Sequence, residues 1–493
     1  LNYLIALDIG TSSTRSVAFA TDGKLLHQES VAYPLESPQA GWQEQNPVLI
    51  LQAVLDSLQA VLQHLPAPPL GMSISAAMHS LIAVDAAGQA LTPCITWADN
   101  RSEDYARALK GTPLGKSIYK NTGTPIHPMS PLCKLAWLRD HQPDIFQQAH
   151  KFVGIKEYIL FHLFGQWVVD YSIASATGLF DIQNLEWYAP ALKFAGVEKE
   201  RLPVPVSTSF VLNNWKSDVL EELKISNKIP IVIGASDGCL ANLGALALHK
   251  GETAITLGTS AAIRMTGRTA VYDERERIFN YLLTEDLYVS GGASNNGGMV
   301  YQWFATNFLE TGLSKQQAFA KIQDIASIPI GAAGLLFLPY LTGERAPVWD
   351  ADAQGIFFGV SKSHTVQHFQ RAVLEGVLYN VFQIGKAIEE TMGEIEHLCV
   401  NGGWAEIPLL MQLLADIFGK KVHILEQEEG SAFGAFLLGM KALNLMQDFA
   451  EAKQMIGVKQ VFEPDAENHA GYQQHFTIFE QLYPVFKTID DRP

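Results

Sequence analysis

Cysteine is scarce in this chain. Cys94, Cys133, Cys239 and Cys399 are scattered over 493 residues without a CxxC pair. That pattern argues against a disulfide scaffold or a zinc module and leaves buried free thiols. Positive charge is short as well. The formal net charge is −16 with no basic block, so neither nucleic acid nor an anionic membrane is an expected partner. An acidic total does not exclude an anionic ligand, because a pocket sets its own local potential. No apolar run approaches the ~18 residues of a spanning helix, and "YILFHLFGQWVV" stops well short. The opening "LNYLIALDIG" lacks a basic n-region followed by a cleavage site, so no signal peptide is expected and the expected compartment is the cytoplasm. Neither GxGxxG nor HExxH occurs. "GTPLGKS" at 111–117 imitates a P-loop, but it has three residues between its glycines where four are required, and it follows the charged "SEDYARALK" rather than a buried strand.

What the chain does have is length and apolar residues, 48% of the total, enough for two packed domains. "YLIALDI" and "RSVAFAT" read as strands joined by the turn Gly10–Ser13. Asp22-Gly23 then turns the chain into "KLLHQES", completing a meander. "PVLILQAVLDSLQAVLQHL" has helical spacing and opens at Asn46-Pro47. "LGMSISAAMHSLIAVD" reads as two short strands around Met78-His79. Much later "KIPIVIGASDG" is a buried strand entering a loop, and "ETAITLGTSAAIRMTG" repeats strand, GTS turn, strand. Helices are expected to begin near His368 and Pro408, with the strand "HLCVNGG" between them. The two meanders, some 245 positions apart, indicate a duplicated α/β architecture with a cleft between halves. The expected divisions are residues 1–248, 249–443, and a helical and loop appendage over 444–493.

A turn of Gly, Thr and Ser exposes backbone N–H groups and adds hydroxyl donors, which suits an anion. A tight hairpin uses the same residues, so a single such turn is weak evidence. Two of them, one in each half, fit a nucleotide whose phosphates lie in the cleft. Asp8 before the first turn could hold Mg²⁺ through water, and Arg15 after it could pair with phosphate oxygens. Asp237, between Ser236 and Gly238, could cap the helix "CLANLGALAL". It could also be the general base that phosphoryl transfer to a hydroxyl requires.

These residues resemble the FGGY family of carbohydrate kinases. "DIGTSSTR" and "TLGTSAAI" are similar to the family's two phosphate hairpins. "MSPLCKLAWLRDH" and "GIFFGVSKSHTVQHFQRAVLE" match its two signatures, and "VNGGWAEIPLLMQLLADIFGKKV" followed by "GSAFGAFLLG" resembles its adenosine motif. The match runs from about Tyr3 to Met440. One departure is that Glu406 and Ile407 stand where Arg and Ser are common, although Gly402, Gly403, Gln412 and Asp416 are in place.

The resemblance implies two ribonuclease H-like domains of the actin/hexokinase type with the active site in the cleft between them. It implies ATP and Mg²⁺, with Asp8 and Asp237 toward the metal and Asp237 as base. The implied nucleotide contacts are Gly10, Thr11, Ser12, Ser13, Arg15, Gly258, Thr259, Ser260, Gly298, Gly402 and Gly403. The implied substrate contacts are Met78, His79, Asp99, Arg101, His127, Lys134 and Asp237. "AAMHSLIAVD", "LTPCITWADNRSE" and "VVDYSIASATG" resemble the branch that phosphorylates the sugar acid gluconate. Met78-His79 is shared with the xylulose-type branch, which is the alternative. A sugar-binding regulator without catalysis is disfavoured by the intact Asp8, Arg15 and Asp237. A homodimer is one assembly the family allows. If gluconate's 6-hydroxyl faces Asp237, its carboxylate sits at the far end of the pocket. His79, Arg101, His127, Lys134 and Lys156 are then the expected candidates to read it.

Overall fold

A computed structural model describes residues 2–225, 228–310, 312–427 and 429–490. Two sheets organise the chain. The first has six strands in the order Val211–Leu212, Ile231–Ser236, Gly71–Ala76, Tyr3–Ile9, Ser13–Ala20, Leu25–Ala32. Tyr3–Ile9 runs antiparallel to Ser13–Ala20 and parallel to Gly71–Ala76, which in turn runs parallel to Ile231–Ser236. All seven residues of Tyr3–Ile9 are buried. A strand buried on both faces reads as a continuous apolar run, as this one does.

The helix Pro47–His64 covers one face of this sheet. Asn46 caps it by accepting from the Val48 N–H at 3.0 Å, and proline occupies its first turn. Its buried Ile50, Val54, Leu58 and Val61 recur at helical spacing. The P-loop imitation lies elsewhere. Residues 113–122 form a helix capped by Thr112, and Lys116 is exposed on it.

The second sheet repeats the plan with seven strands in the order Phe279–Thr284, Leu287–Ser294, Ala261–Gly267, Glu252–Leu257, His397–Asn401, Lys421–Leu425, Val458–Phe462. Again one antiparallel hairpin partner flanks a central strand that runs parallel to the strands on its other side. The second half is not a plain meander. Ala261–Gly267 pairs with Leu287–Ser294, and the intervening Phe279–Thr284 moves to the edge.

The expected appendage over 444–493 is corrected by the structure. Val458–Phe462 adds an antiparallel edge strand to the second sheet. The helix Ala466–Asp490 buries Tyr472, Phe476, Phe479 and Leu482 in the core of that half. Tyr472 also accepts from Arg371 at 2.7 Å and donates to Glu375 at 3.0 Å. An edge strand exposes most of its side chains, here four of five, so its pattern did not distinguish it from a loop.

The two halves interlock through glycine. Helix Asp237–Gly244 follows the first sheet, and helix Gly430–Ala442 belongs to the second half. A Cβ on Gly244 would lie 1.9 Å from the Gly430 carbonyl oxygen, and one on Gly434 would lie 2.0 Å from that of Leu240. The two helix backbones therefore touch directly. Helix Gly430–Ala442 also rests on the first sheet, where a Cβ on Gly439 would press on Ser73 and Phe433 and Phe436 meet Phe19. This crossing holds helix Asp237–Gly244 against both halves.

Candidate active site

Asp237 stands where the strand Ile231–Ser236 passes into that helix. The strand bulges between Val232 and Ala235. Gly234 has φ +72°, and a Cβ there would lie 1.7 Å from the Ile74 carbonyl oxygen, so only glycine fits. The capping role goes to Ser236, whose hydroxyl accepts from the Cys239 N–H. Asp237 is thus the first helical residue, and its carboxylate accepts from the Gly238 N–H at 2.7 Å. Burial, then the nearby Asp8 carboxylate, push its pKa up to about 6, against the pull of Arg264 and Arg345. Residues 234–238 also have the G-x-S-x-G spacing of a hydrolase nucleophile elbow. Ser236 Oγ is occupied by its cap and by Ser172 Oγ at 2.9 Å, which leaves it in a structural role.

Both turns close by a backbone bond from the glycine N–H, one residue tighter at the second. Gly10 N–H donates to the Ser13 carbonyl at 3.0 Å, and Gly258 N–H donates to that of Ser260 at 2.9 Å. Around the first turn, Tyr33 donates to the Gly10 carbonyl and Gln45 to that of Thr11, each at 2.6 Å. Ser12 is exposed and Ser13 begins the second strand.

At the second turn, Gly298 N–H donates to the Gly258 carbonyl at 2.8 Å, and Met299 N–H donates to Thr259. A Cβ on Gly298 would lie 2.7 Å from that same oxygen, so this glycine serves close packing. Gly402 has φ +95°, and a Cβ there would meet the Leu257 carbonyl oxygen at 2.4 Å, whereas Gly403 faces open space. The strand–turn–helix frame holds despite the Glu406 and Ile407 departure: Glu406 is exposed, Ile407 is buried, and the helix starts at Pro408.

Asp8 accepts from Arg15 at 2.6 Å and from Ser431 at 2.9 Å through one oxygen. Its other oxygen is buried without a hydrogen-bond partner among the described residues. Arg15 is partly exposed. Its second amino group binds Glu429, so the guanidinium bridges the halves.

A cavity of ≈190 Å³ opens beside Asp237, lined by Thr11, Met78, His79, Trp97, Met129, Ser260, Ala261, Ala262, Arg264, Phe279, Tyr281, Ala293, Arg345 and Trp349. It contains residues from both halves and from both turns. His79 takes φ +69°, and its Nδ1–H donates to the Ala176 carbonyl at 2.7 Å. That partner leaves Nε2 as the acceptor. Burial foremost, then the charge of Lys134, push the His79 pKa down to about 3, so the ring is neutral. The Trp97 indole N–H donates to Thr11 Oγ1 at 2.9 Å, tying the cavity wall to the first turn.

Most of the expected cations are already engaged. Asp99 and Glu44 hold Arg101, which also lies 3.7 Å from the Trp42 ring centre. Asp99 further accepts from the Gln43 N–H. Lys134 donates to the carbonyls of His79 at 2.7 Å and Thr96 at 2.6 Å, and burial lowers its pKa to about 7. Lys156 forms a buried 2.6 Å pair with Asp170 and donates to the Ala235 carbonyl two residues before Asp237. His127 packs edge-on against Trp349 and lines a neighbouring opening that shares Trp97 and Ser260 with the cavity. Asp99, Arg101 and Lys134 therefore lie outside the cavity and support its walls, and Lys156 anchors the Asp237 strand.

The sequence reading missed Arg264 and Arg345. Arg264 lies on strand Ala261–Gly267, two residues past Ala262 and on the same face. An arginine in an apolar strand was the available signal. Arg345 follows the buried Glu344, donates to Asn295 Oδ1 at 2.8 Å and lies 4.5 Å from the Trp97 ring centre. Burial lowers its pKa to about 10.

Known proteins share this arrangement. The N-terminal domain of the FGGY family of carbohydrate kinases matches residues 3–244, and the family's C-terminal domain matches residues 253–443. The gluconokinase of Bacillus subtilis (strain 168) is 41% identical over 98% of this chain and 95% of its own length. Two solved structures from Lactobacillus acidophilus, a gluconate kinase and a ligand-bound xylulose kinase, each superpose with a TM-score of 0.94 at 33% identity. Each covers 99% of this chain, and the chain covers 100% and 99% of them respectively.

Proposed function

The chain belongs to the FGGY family of carbohydrate kinases, and we propose that it transfers the γ-phosphoryl group of ATP to the 6-hydroxyl of D-gluconate. The products are 6-phospho-D-gluconate and ADP. Asp237 accepts the hydroxyl proton and aims the oxygen, which attacks γ-phosphorus in line as the bond to the β-phosphate oxygen breaks. The Gly10–Ser13 and Gly258–Ser260 turns cradle the phosphates with backbone N–H groups. Gly402 and Gly403 let the nucleotide approach the backbone.

The unpartnered, buried Asp8 oxygen fits a water on Mg²⁺, a hard cation that keeps waters and takes few protein carboxylates. Asp8 and Asp237 would hold Mg²⁺, which would supply charge neutralisation for the phosphates. Met78 and His79 face the sugar, with His79 Nε2 accepting from a hydroxyl. The four cysteines, buried and unpaired, support a reducing cytoplasmic setting. No helix among the described residues is long and apolar enough to cross a membrane.

The observation that carries the sugar-acid reading is the charge of the cavity. Two arginines, Arg264 and Arg345, share it with one carboxylate, Asp237. That imbalance suits an anionic substrate and disfavours a neutral one, which would leave buried cationic donors unmatched. A coupled ADP-release assay across gluconate, xylulose, ribulose and glycerol tests this. Gluconate should lead by ~10² or more in kcat/KM. Equal efficiency on xylulose would replace the assignment with the xylulose-type reading.

A further inference from the structure

We infer that Arg264 is the specificity residue that reads the carboxylate of the sugar acid. The inference rests on the proposed gluconate reading and assigns the carboxylate to one side chain beside Gly238, which requires the open-chain acid to bend back rather than reach the far end of the pocket expected from the sequence.

Arg101 is saturated by two carboxylates, Lys156 by one, and Lys134 by backbone carbonyls. Arg345 has a 2.8 Å bond to Asn295 and the face of Trp97. Arg264 has much less. Among the described residues its one hydrogen bond is a long one, 3.4 Å to Thr256 Oγ1, and its Nε is shielded from solvent without a partner. A guanidinium has five donors in a planar fork. Arg264 is half-buried, and its shielded Nε is costly to leave unused unless a ligand takes it up.

Placement supports the same conclusion. Ala262 and Arg264 project from one face of the strand, and both line the cavity. Where a larger residue at 262 would fill the space, alanine leaves it open to the arginine. A Cβ added to Gly238 would lie 3.4 Å from both Arg264 Nε and Nη2, so the guanidinium lies along the cavity floor next to the residue after Asp237. The Tyr281 hydroxyl, which lines the same cavity, is also buried without a partner. Its ring packs edge-on against His79 at 5.8 Å. Arg264 and Tyr281 border one small space, and arginine grips the two oxygens of a carboxylate with two parallel bonds. A ketose presents no such pair.

The test compares D-gluconate with D-gluconamide, its neutral isostere, as substrates for the wild type, Arg264→Met and Arg264→Lys. The wild type should prefer gluconate by ~10² or more in kcat/KM, the range seen when a polar site loses its partner. In Arg264→Met that preference should collapse toward one, with the loss on gluconate falling mainly on KM. Arg264→Lys, which keeps the charge but not the fork, should recover part of it.

A gluconate preference that survives Arg264→Met overturns the inference. So does an equal loss on both substrates, which would place Arg264 at the phosphate or at Asp237. Should Arg264→Met fail to fold by circular dichroism, Arg264→Lys decides alone: a preference unchanged from the wild type overturns the role, and a drop of ~10-fold or more supports it. A wild type that does not phosphorylate gluconate overturns the substrate assignment itself and this role with it.

Discussion

Asp237→Asn should make the protein nearly inactive and, at neutral pH, more stable. The substitution keeps the shape and the oxygen that accepts from Gly238 N–H, but removes the base. General-base assistance is worth ~10²–10⁴ in rate, so turnover should fall by that factor while gluconate binding persists. The stability gain follows from the raised pKa. Folding takes the carboxyl from 3.8 to about 6, which costs the ionised form roughly 3 kcal/mol.

Because the folded-state pKa lies above the unfolded one, the neutral acid carries no penalty below pH ~4, and stability is lost as pH rises to ~6. The side chain borders an open cavity, so water screening reduces the figure to ~1–2 kcal/mol at pH 7.5. Thermal melts at pH 7.5 should place Asp237→Asn about 2–4 °C above the wild type or somewhat less in a chain of this length, and the gap should close toward pH 4. Activity is read by coupled ADP release and binding by calorimetry. Near-normal turnover would remove Asp237 from the chemistry. A variant less stable at pH 7.5 than the wild type would refute the burial argument.

The raised Asp237 pKa also predicts the pH profile: kcat/KM should fall about tenfold per unit below pH ~6, since the base must be ionised. His79, neutral with a pKa near 3, should not shape that limb, so His79→Asn should leave its inflection in place; an inflection near 4 would contradict the Asp237 assignment. Lys156→Met strands the buried Asp170 carboxylate and should cost ~3–5 kcal/mol in urea melts. The double variant Lys156→Met/Asp170→Leu should regain most of that loss, and no recovery would mean the pair is not the anchor. Gly402→Ala, forced to φ +95° with its Cβ 2.4 Å from a carbonyl oxygen, should destabilise by more than ~1 kcal/mol. Gly403→Ala, in open space, should stay within ~0.5 kcal/mol; equal effects would remove the distinction between the two glycines.

Short-range features were legible in the sequence by itself. The strand–turn–strand units at Gly10–Ser13 and Gly258–Ser260, the helix opened by Asn46-Pro47, and Asp237 at the end of a buried strand rest on turn chemistry and periodicity that a few neighbouring residues settle. The rest depended on partners distant in the chain. Phe279–Thr284 goes to the sheet edge because Leu287–Ser294 takes the place beside Ala261–Gly267. Val458–Phe462 becomes a strand because Lys421–Leu425 leaves an edge open to it. The same holds for charge. In sequence Arg15, Arg101, Lys134, Lys156 and Arg264 are equivalent cations. In the folded chain Glu429 meets Arg15 from 414 residues away, Glu44 and Asp99 take Arg101, and Asp170 takes Lys156, while Arg264 lines the cavity with its Nε unpartnered among the described residues. A side chain's residual hydrogen-bonding capacity is what remains after its tertiary neighbours have bound, and no local pattern contains that information.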